Sequence, residues 1–510
     1  MNQEQKEVQK KIEEKKRKIV LWLKNPYNLG FLAIILAAII IRLYYFFLTK
    51  NQPLWWDEAE YMLKAKSIAL GTPDTGWWYG RPILFPLISS IFFKLGLGEI
   101  GIRFIWLIMS VFNVGLIYFL GRELFNKRVG LIASALMSVS YIELFYSNRM
   151  LVNLPEVFFT LVAFILFVKV EFSNQNKKLI RWILPLLMIG TLMRFTVGLG
   201  IIILLSYLII TKGFNLFKEK EWYMSLLFAI LLYLPYGLYS WIKYKNPVYV
   251  IASVLVGSTG DRAPGTTIFT VLKQYLLYLP QYTNWIFFLS FLLALFLLGI
   301  SLVLSYDLIR KEEKSKKSIF IFLFLIIPLL YFGLFVNHFE DRYIAMILPI
   351  VFVLTAYGLD IVYKNIAKYS KNIIAMIILL VILISGTYFM YSHSDLIIKD
   401  KINSYGDLRE VGLWIRSNSQ EGDGILSAGV PQINYYSERE VYRNEQNITS
   451  QLELIKNKSI KYIIVTNWEK DPEWLYNYLS SNQTDFKNVY QSVSNYNNNQ
   501  MFAVVFSTGY

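Results

Sequence analysis

Two tryptophans followed by two carboxylates, Trp55-Trp56-Asp57-Glu58, stand just after the first long apolar segment of the chain, Leu29 to Leu48. Charges in or near hydrocarbon are costly and are usually kept for a function, whereas Trp settles at the level of the lipid headgroups. The acidic pair therefore predicts chemistry at a membrane surface, at the mouth of a membrane-embedded cavity.

The composition is that of a polytopic α-helical membrane protein. Of the 510 residues, 55% are hydrophobic and 17% are charged, and the apolar residues come in long blocks. A helix needs roughly 20 mostly apolar residues to cross a bilayer. About eleven segments meet or approach this requirement: 28–48, 101–121, 129–147, 154–172, 180–193, 196–211, 222–242, 284–306, 318–336, 343–363 and 372–391. Because Arg194 interrupts a continuous apolar stretch, a single bent helix is the alternative for the fifth and sixth segments.

The distribution of basic residues predicts the orientation of the chain. A net charge of +15 would suggest nucleic acid in a soluble protein, but here the charge is concentrated in alternate loops. The basic clusters lie at 15–18, 127–128, 177–178, 218–220, 310–317 and 364–368. The positive-inside rule places them in the cytoplasm and the Asp57 loop outside. We therefore expect no nucleic-acid partner, and we expect a cytoplasmic basic tail over residues 1–27.

Residues 28–391 form the predicted transmembrane domain, with outer loops at 49–100 and 244–283. The first loop contains an amphipathic stretch at 58–70 and an apolar one at 83–95 that is too short to span, which together predict interfacial helices. The second loop is rich in Gly and Pro between 257 and 265 and then becomes apolar and aromatic. That composition favours a lid over a lipid-facing cavity.

Residues 392–510 are predicted to form a soluble extracytoplasmic α/β domain. Helix signals at 405–417, 448–456 and 472–479 alternate with strand signals at 424–428, 462–465 and 502–506. Such alternation is typical of a small layered α/β domain. The chain has no cysteine, so disulfides and thiolate chemistry are excluded.

Several short motifs occur in an order that resembles a known superfamily. The motifs are Arg42 late in the first helix, Trp56-Asp57-Glu58, Arg81-Pro82-Ile83-Leu84-Phe85-Pro86, Gly121-Arg122-Glu123-Leu124-Phe125, Ser147-Asn148-Arg149-Met150-Leu151, Asp341-Arg342-Tyr343 with Pro349, and Val411-Gly412-Leu413-Trp414-Ile415-Arg416. Their order and spacing resemble the C-type membrane glycosyltransferases of the dolichyl-phosphate-mannose protein mannosyltransferase and aminoarabinose transferase superfamily. The resemblance covers nearly the whole chain.

The resemblance implies an enzyme that takes a sugar from a polyprenyl-phosphate carrier, dolichyl or undecaprenyl, and passes it to a protein, lipid or glycan acceptor on the outer face. Such a transfer needs a base for the acceptor hydroxyl and cations for the phosphate leaving group. The acidic residue of the family after the first helix maps to Asp57, the predicted base. Glu58 is predicted to orient the acceptor, ligate a metal or raise the pKa of Asp57. Capping of the following helix is the alternative for both acids.

Three arginines are the predicted residues for the donor phosphate. Arg81 precedes Pro82, where the family places a basic residue that meets the carrier phosphate, and a guanidinium suits a phosphate well. Arg342 and Arg149 are the other two. The alternatives are a snorkelling surface side chain for Arg81 and a surface ion pair for Arg342. Arg42 lies near the outer end of the first helix, where a structural side chain that snorkels toward the headgroups is expected and a side chain that reaches the cavity is the alternative.

One departure from the family concerns an auxiliary acid. Many relatives have Asp or Glu a few residues after the position of Arg149, whereas this chain has Asn153. Glu156 and Glu143 are the candidate replacements. A divalent ion usually needs more than one carboxylate, so metal binding is left open and no other cofactor is indicated. His338 is an option for assisting proton transfer, with an ordinary loop histidine as its alternative.

The main alternative from another class is a flippase or transporter for a lipid-linked sugar. Transporters often concentrate polar residues at the bilayer midplane, whereas the notable charges here stand at the outward ends of helices, which favours an enzyme. An oligosaccharide ligase is a further alternative among enzymes. The identities of the sugar and the acceptor stay open at this point.

Overall fold

The computed structural model describes residues 3–77, 81–173, 175–249, 251, 267–305, 308, 310–336, 339–481, 486–496 and 499–509. Most of the described chain is helical. The α-helices are Gln3–Leu23, Pro26–Thr49, Trp56–Leu70, Leu84–Lys94, Gly98–Leu124, Lys127–Val139, Tyr141–Tyr146, Asn153–Phe172, Ile183–Met193, Leu199–Lys212, Lys220–Tyr244, Ile268–Thr283, Trp285–Leu304, Glu313–Phe335, Leu348–Tyr369, Asn372–Asp400, Gly406–Asn418, Val430–Ser437, Ile448–Asn457 and Glu473–Ser480. Residues 252–266, which lie within the loop 244–283 predicted as a lid, are outside the described ranges.

Within the described residues, nine helical segments are long and apolar enough to cross a membrane. They are Pro26–Thr49, Gly98–Leu124, Asn153–Phe172, Phe195–Leu216, Lys220–Tyr244, Trp285–Leu304, Glu313–Phe335, Leu348–Tyr369 and Asn372–Asp400. The polytopic membrane architecture predicted from the sequence is thus confirmed, with nine such segments where eleven were expected.

The difference in number comes from two backbone breaks. The predicted span 129–147 overlaps the 13-residue helix Lys127–Val139, which is followed by an extended backbone at Ser140. The predicted span 180–193 contains the 11-residue helix Ile183–Met193, which is followed by an extended backbone at Arg194. Arg194 therefore separates two helices, and the single bent helix is excluded. Apolar composition alone does not reveal such interruptions.

The chain divides into two compact units. The first comprises Met1–Tyr44, Leu107–Leu144 and Asn153–Ser394, and it contains most of the apolar helices. The second comprises Tyr45–Trp106, Phe145–Val152 and Asp395–Tyr510. The predicted first outer loop and the C-terminal residues therefore belong to one unit, although they are distant in the sequence.

In the second unit, the C-terminal residues form a five-stranded mixed sheet. Its strands are β1 (Gly424–Ser427), β2 (Val441–Tyr442), β3 (Ile460–Thr466), β4 (Lys487–Tyr496) and β5 (Asn499–Ser507), in the order β2-β1-β3-β5-β4. Strands β2, β1 and β3 are parallel, whereas β5 is antiparallel to its neighbours.

Apolar side chains cover both faces of this sheet. Ile425 and Ile464 pack on one face with helix 406–418, and Leu426 and Ile463 pack on the other with helix 448–457. Because successive strand residues point to opposite faces, the apolar runs of β1 and β3 require helices on both sides. The α/β character predicted for the C-terminal region is confirmed.

Helix 56–70, also in the second unit, has well-defined ends. Trp55 precedes it with an extended backbone, and Asp57 and Glu58 occupy its first turn, where carboxylates interact favourably with the helix dipole. Gly71 ends it in the left-handed conformation, with φ of 73°, which glycine adopts without steric cost. The helix packs against helices 84–94 and 430–437. It therefore presents the acidic pair at a fixed position.

Candidate active site

Asp57 forms an ion pair with Arg81 in the second unit. Its Oδ1 accepts a hydrogen bond from Nη2 of Arg81 at 2.6 Å, and about a fifth of each side chain is exposed, 21% for Asp57 and 19% for Arg81. The other terminal nitrogen of Arg81 pairs with Glu60, one helical turn after Trp56. The predicted base and one predicted phosphate residue are therefore in direct contact.

This cluster borders a cavity of about 450 Å³ lined by Glu60, Thr75, Gly76, Trp77 and Arg81. Arg81 is held on two sides, since Trp77 Nε1 donates to its carbonyl at 2.9 Å and its guanidinium lies 5.5 Å from the ring of Tyr61. A volume of this size suits a small polar ligand. Arg81 thus borders a ligand-sized space, and Asp57 is in direct contact with Arg81.

Glu58, the other predicted catalytic acid, is fully buried. Its Oε2 accepts hydrogen bonds from the backbone N–H of Trp55 and from Nη1 of Arg149, both at 3.0 Å. Its Oε1 accepts one from the N–H of Met150 at 2.7 Å. The hydrogen bond from Trp55 caps the start of helix 56–70, and such capping was the alternative role predicted for Glu58. Glu58 ties the start of its helix to the segment 145–152.

Arg149, a predicted donor-binding residue, is buried beside Glu58, with 1% of its side chain exposed. Its remaining hydrogen bonds go to the carbonyls of Pro53 at 3.2 Å and Lys401 at 3.1 Å, and its guanidinium lies 4.2 Å from the ring of Trp55. Burial lowers the pKa of Arg149, and the negative charge of Glu58 opposes this change. The guanidinium is engaged by protein groups on several sides.

Arg103 is a third buried charge in this cluster, and the sequence analysis did not single it out. Its Nη1 donates to the carbonyl of Asn148 at 2.5 Å, its Nη2 donates to that of Gln52 at 3.1 Å, and it lies 3.9 Å from Glu58. An arginine within the apolar helix 98–124 was a signal that could have found it, because such charges are rarely retained without a partner.

Arg342, the third predicted phosphate residue, lies in the first unit. Its Nε pairs with Glu340, and its guanidinium lies 5.8 Å from the ring of Tyr343. The ion pair is the alternative predicted for Arg342. A second guanidinium, that of Arg194, lies 5.6 Å from the same ring, so the two cations flank one aromatic side chain. Arg194 was visible in the sequence only as an interruption of an apolar stretch.

Glu156, a candidate auxiliary acid, belongs to this second cluster. It is fully buried, pairs with Nη1 of Arg194 at 3.0 Å, and accepts a hydrogen bond from Thr196. Asn153, at the position where many relatives have an acid, donates to the carbonyl of Arg342 at 3.0 Å. Asn153 and Glu156 thus hold the two arginines in place from the start of helix 153–172.

Glu143, the other candidate auxiliary acid, lies in a buried network of the first unit. Ser110 donates to it at 2.9 Å and Asn113 at 3.3 Å. Arg42 is part of the same network, since its Nε donates to Ser110 at 2.8 Å and its Nη1 donates to the carbonyl of Ser138 at 3.0 Å. Arg42 is fully buried, so the expectation that it snorkels is wrong. Serine and carbonyl oxygens inside the unit accept hydrogen bonds from its Nε and Nη1, whereas its Nη2 has no hydrogen-bond partner among the described residues.

The described ranges contain no group of three or more His, Asp or Glu side chains with the arrangement of a metal site. His338 lies outside the described residues, so its suggested part in proton transfer has no structural description. The candidate site is therefore built from acids, arginines and aromatic rings.

The chain has the fold of the C-type membrane glycosyltransferases, the class that its motifs indicate. The profile of the family described as dolichyl-phosphate-mannose-protein mannosyltransferase matches residues 80–239. No curated protein sequence matches the chain significantly.

Two solved structures show the similarity over most of the chain. ArnT from Cupriavidus metallidurans, bound to undecaprenyl phosphate, has a TM-score of 0.65 at 11% identity and covers 94% of this chain and 97% of its own. The second structure is the archaeal oligosaccharyltransferase AglB from Archaeoglobus fulgidus, in complex with an inhibitory peptide and a dolichol-phosphate. Its TM-score is 0.61 at 14% identity, and the match covers 87% of this chain and 70% of the AglB chain. Both similarities establish the fold.

Proposed function

We propose that this protein is a membrane glycosyltransferase that moves a sugar from a polyprenyl-phosphate carrier to a hydroxyl acceptor. The observation that carries the proposal is the contact of Asp57 with Arg81 beside a ligand-sized cavity, within a fold shared with an oligosaccharyltransferase. The flippase alternative has no comparable support, because the matching family profile and AglB are both described as transferases.

The chemistry is a single displacement at the anomeric carbon. The acceptor oxygen attacks this carbon as Asp57 takes the hydroxyl proton, and the bond from the anomeric carbon to the phosphate oxygen breaks. The electron pair of that bond leaves with the polyprenyl phosphate, whose negative charge arginine side chains stabilise. One displacement inverts the anomeric configuration.

Arg81 has two roles in the proposed mechanism. Its pairs with Asp57 and Glu60 orient both carboxylates. A donor phosphate would compete with these acids for the guanidinium, because phosphate accepts bidentate hydrogen bonds well. Release of Asp57 from Arg81 would make it a stronger base, since a neighbouring cation favours the ionised carboxylate. Donor binding would thereby activate the base.

Glu58 and Arg149 act as positioning residues. Both are buried, and their hydrogen bonds connect Trp55, Met150 and Lys401. We therefore assign neither of them to substrate, in contrast to the roles predicted from the sequence. Their function is to hold the first turn of helix 56–70, which carries Asp57.

Arg342 and Arg194 are proposed to bind the donor phosphate. We expect Arg342→Gln to weaken binding of undecaprenyl phosphate and of dolichyl phosphate by roughly 10- to 100-fold, since hydrogen bonds to charged groups contribute about 1.5–3 kcal/mol. Titration of the purified protein with each lipid in detergent measures the dissociation constant.

The matched control is Arg181→Gln, because Arg181 also pairs with a carboxylate, that of Glu221, in the first unit. This control should bind the lipids as the unaltered protein does. Equal affinities for the Arg342 and Arg181 variants would remove Arg342 from the phosphate site.

The proposed orientation has a cytoplasmic N-terminus and an extracytoplasmic C-terminal region. The basic loops support it, and an odd number of spans, such as the nine long apolar segments of the described chain, places the termini on opposite sides. The outer face is then the side on which transfer takes place.

Because the chain has no cysteine, the orientation can be tested with single-cysteine variants. We expect a membrane-impermeant maleimide added to intact cells to label Ser417→Cys, and to label Gln9→Cys only after permeabilisation, both residues being exposed. The reverse labelling pattern would overturn the orientation and place the transfer reaction on the cytoplasmic face.

A further inference from the structure

Three neighbouring cavities of the second unit share lining residues. The first is the 450 Å³ cavity beside Arg81. Glu60 and Thr75 also line a second cavity of about 480 Å³, which continues to Arg443. Arg443 lines a third cavity of about 510 Å³ as well, which reaches Asp471. We call this series the polar groove. It leads from Arg81, the ion-pair partner of the proposed base, to the C-terminal sheet.

The third cavity lies where a parallel sheet is expected to bind a ligand. Ala428 follows β1, Arg443 and Asn444 follow β2, and Glu469 to Pro472 follow β3, and all of these residues line the cavity. Strands β2 and β3 stand on opposite sides of β1. In open α/β sheets, ligands bind outside the carboxyl ends of the strands at such a reversal of strand order.

Two buried oxygens in the groove walls lack hydrogen-bond donors among the described residues. Asp471 is 2% exposed, and its Oδ2 has no hydrogen-bond partner among the described residues. Asn434 is 1% exposed, and its Oδ1 likewise has none among them. Asp471 lines the third cavity and Asn434 the second. Burial raises the pKa of Asp471 to about 6, although hydrogen bonds from Asn444 and from the backbone of Thr466 act in the opposite direction. Buried acceptors of this kind require donors.

The other side chains of the groove combine polar groups with aromatic rings. Trp56 lines the second cavity, donates from Nε1 to Glu60 at 3.1 Å, and has the guanidinium of Arg443 at 5.6 Å from its ring. Trp77 and Tyr442 add further rings. Hydroxyl groups of a sugar can donate to carboxylate and amide oxygens, while the apolar face of a sugar ring packs on an aromatic side chain.

The third cavity disfavours a lipid. Five of its lining residues are charged, namely Arg443, Glu469, Lys470, Asp471 and Glu473. An acyl chain placed there would remove these groups from water without offering hydrogen bonds, which is costly. A polyhydroxylated chain satisfies the same groups.

We propose that the acceptor is an oligosaccharide that lies along the polar groove, with its reactive hydroxyl at Asp57 and its following sugar units extending past Asn434 to Asp471. This inference rests on the proposed transferase function. It identifies the substrate class that the sequence left open among protein, lipid and glycan.

The test compares source cells that lack this protein with cells that express it. Mass spectrometry of glycans, glycoproteins and lipids then shows which class of molecule lacks one sugar. Loss of a sugar that is attached to another sugar supports the proposal. Loss of a sugar attached directly to a protein or a lipid overturns the groove assignment but leaves the transferase function standing. If no class loses a sugar, the transferase function itself fails.

Glycan from the deficient cells then serves as the probe for the purified full-length protein. We expect Asp471→Asn, which keeps the size of the side chain but replaces one acceptor oxygen by a donor, to weaken binding of this glycan roughly tenfold or more. Asp423→Asn is the matched control, because Asp423 pairs with Lys461 at 2.9 Å in the same unit. Binding of undecaprenyl phosphate should be equal in both variants. Equal affinity of the two variants for the glycan would contradict the proposal that the acceptor binds along the polar groove.

Discussion

We expect Asp57→Asn to lower kcat for sugar transfer by roughly 10²- to 10⁴-fold, the range that general base catalysis contributes. Asparagine keeps the size of the side chain and can still accept a hydrogen bond from Arg81, which also pairs with Glu60. It cannot take a proton from the acceptor, so the nucleophile stays a neutral hydroxyl. Transfer of radiolabelled sugar from the lipid carrier in membranes containing the variant measures the effect.

The control for this experiment is Asp423→Asn, which changes a partly exposed carboxylate that also contacts a cation. This control should transfer sugar at the normal rate. Binding of undecaprenyl phosphate should be no weaker in the Asp57 variant than in the control, because the scheme gives Asp57 no contact with the phosphate. Undiminished transfer by the Asp57 variant would remove this residue from the mechanism.

The second large effect is expected on stability. Arg149→Met should destabilise the second unit by about 3–5 kcal/mol, because it leaves the charge of Glu58 buried without its closest cation. Methionine fills much of the same volume, so lost packing contributes little. The midpoint of thermal unfolding of the detergent-solubilised protein, followed by tryptophan fluorescence, should fall clearly.

Arg81→Met is the matched control, since it makes the same chemical change at a partly exposed pair. Such pairs contribute about 1 kcal/mol or less, so its unfolding midpoint should change little. The double variant Glu58→Gln/Arg149→Met should recover part of the loss, because it removes the unpaired charge as well. If the midpoints of thermal unfolding of Arg149→Met and the control were equal, the buried pair of Glu58 and Arg149 would not contribute to stability.

The two adjacent acids Asp57 and Glu58 have different surroundings. Asp57 is partly exposed and contacts Arg81, whereas Glu58 is fully buried and contacts Arg149. Consecutive residues of a helix point about 100° apart, as follows from 3.6 residues per turn. One of two adjacent acids can therefore be partly exposed while the other faces the protein interior.

The secondary structure of the C-terminal region was predicted closely. The predicted helix 405–417 is observed as Gly406–Asn418, and the predicted strand 462–465 is observed within Ile460–Thr466. Strand β4, by contrast, was missed. Its sequence is mostly polar and partly exposed, and its pairing with β5 rather than an apolar pattern holds it in the sheet.

The sequence by itself indicated the membrane class, the approximate spans, the α/β character of the C-terminal region and the class of fold, because these depend on local hydrophobicity, periodicity and short motifs. It also indicated Asp57 and Arg81 as candidate site residues. Only the tertiary structure decided that these two side chains touch, that Glu58 and Arg149 are buried partners, and that Arg194 flanks the same ring as Arg342. Such pairings depend on contacts between residues far apart in the chain, which local patterns do not encode.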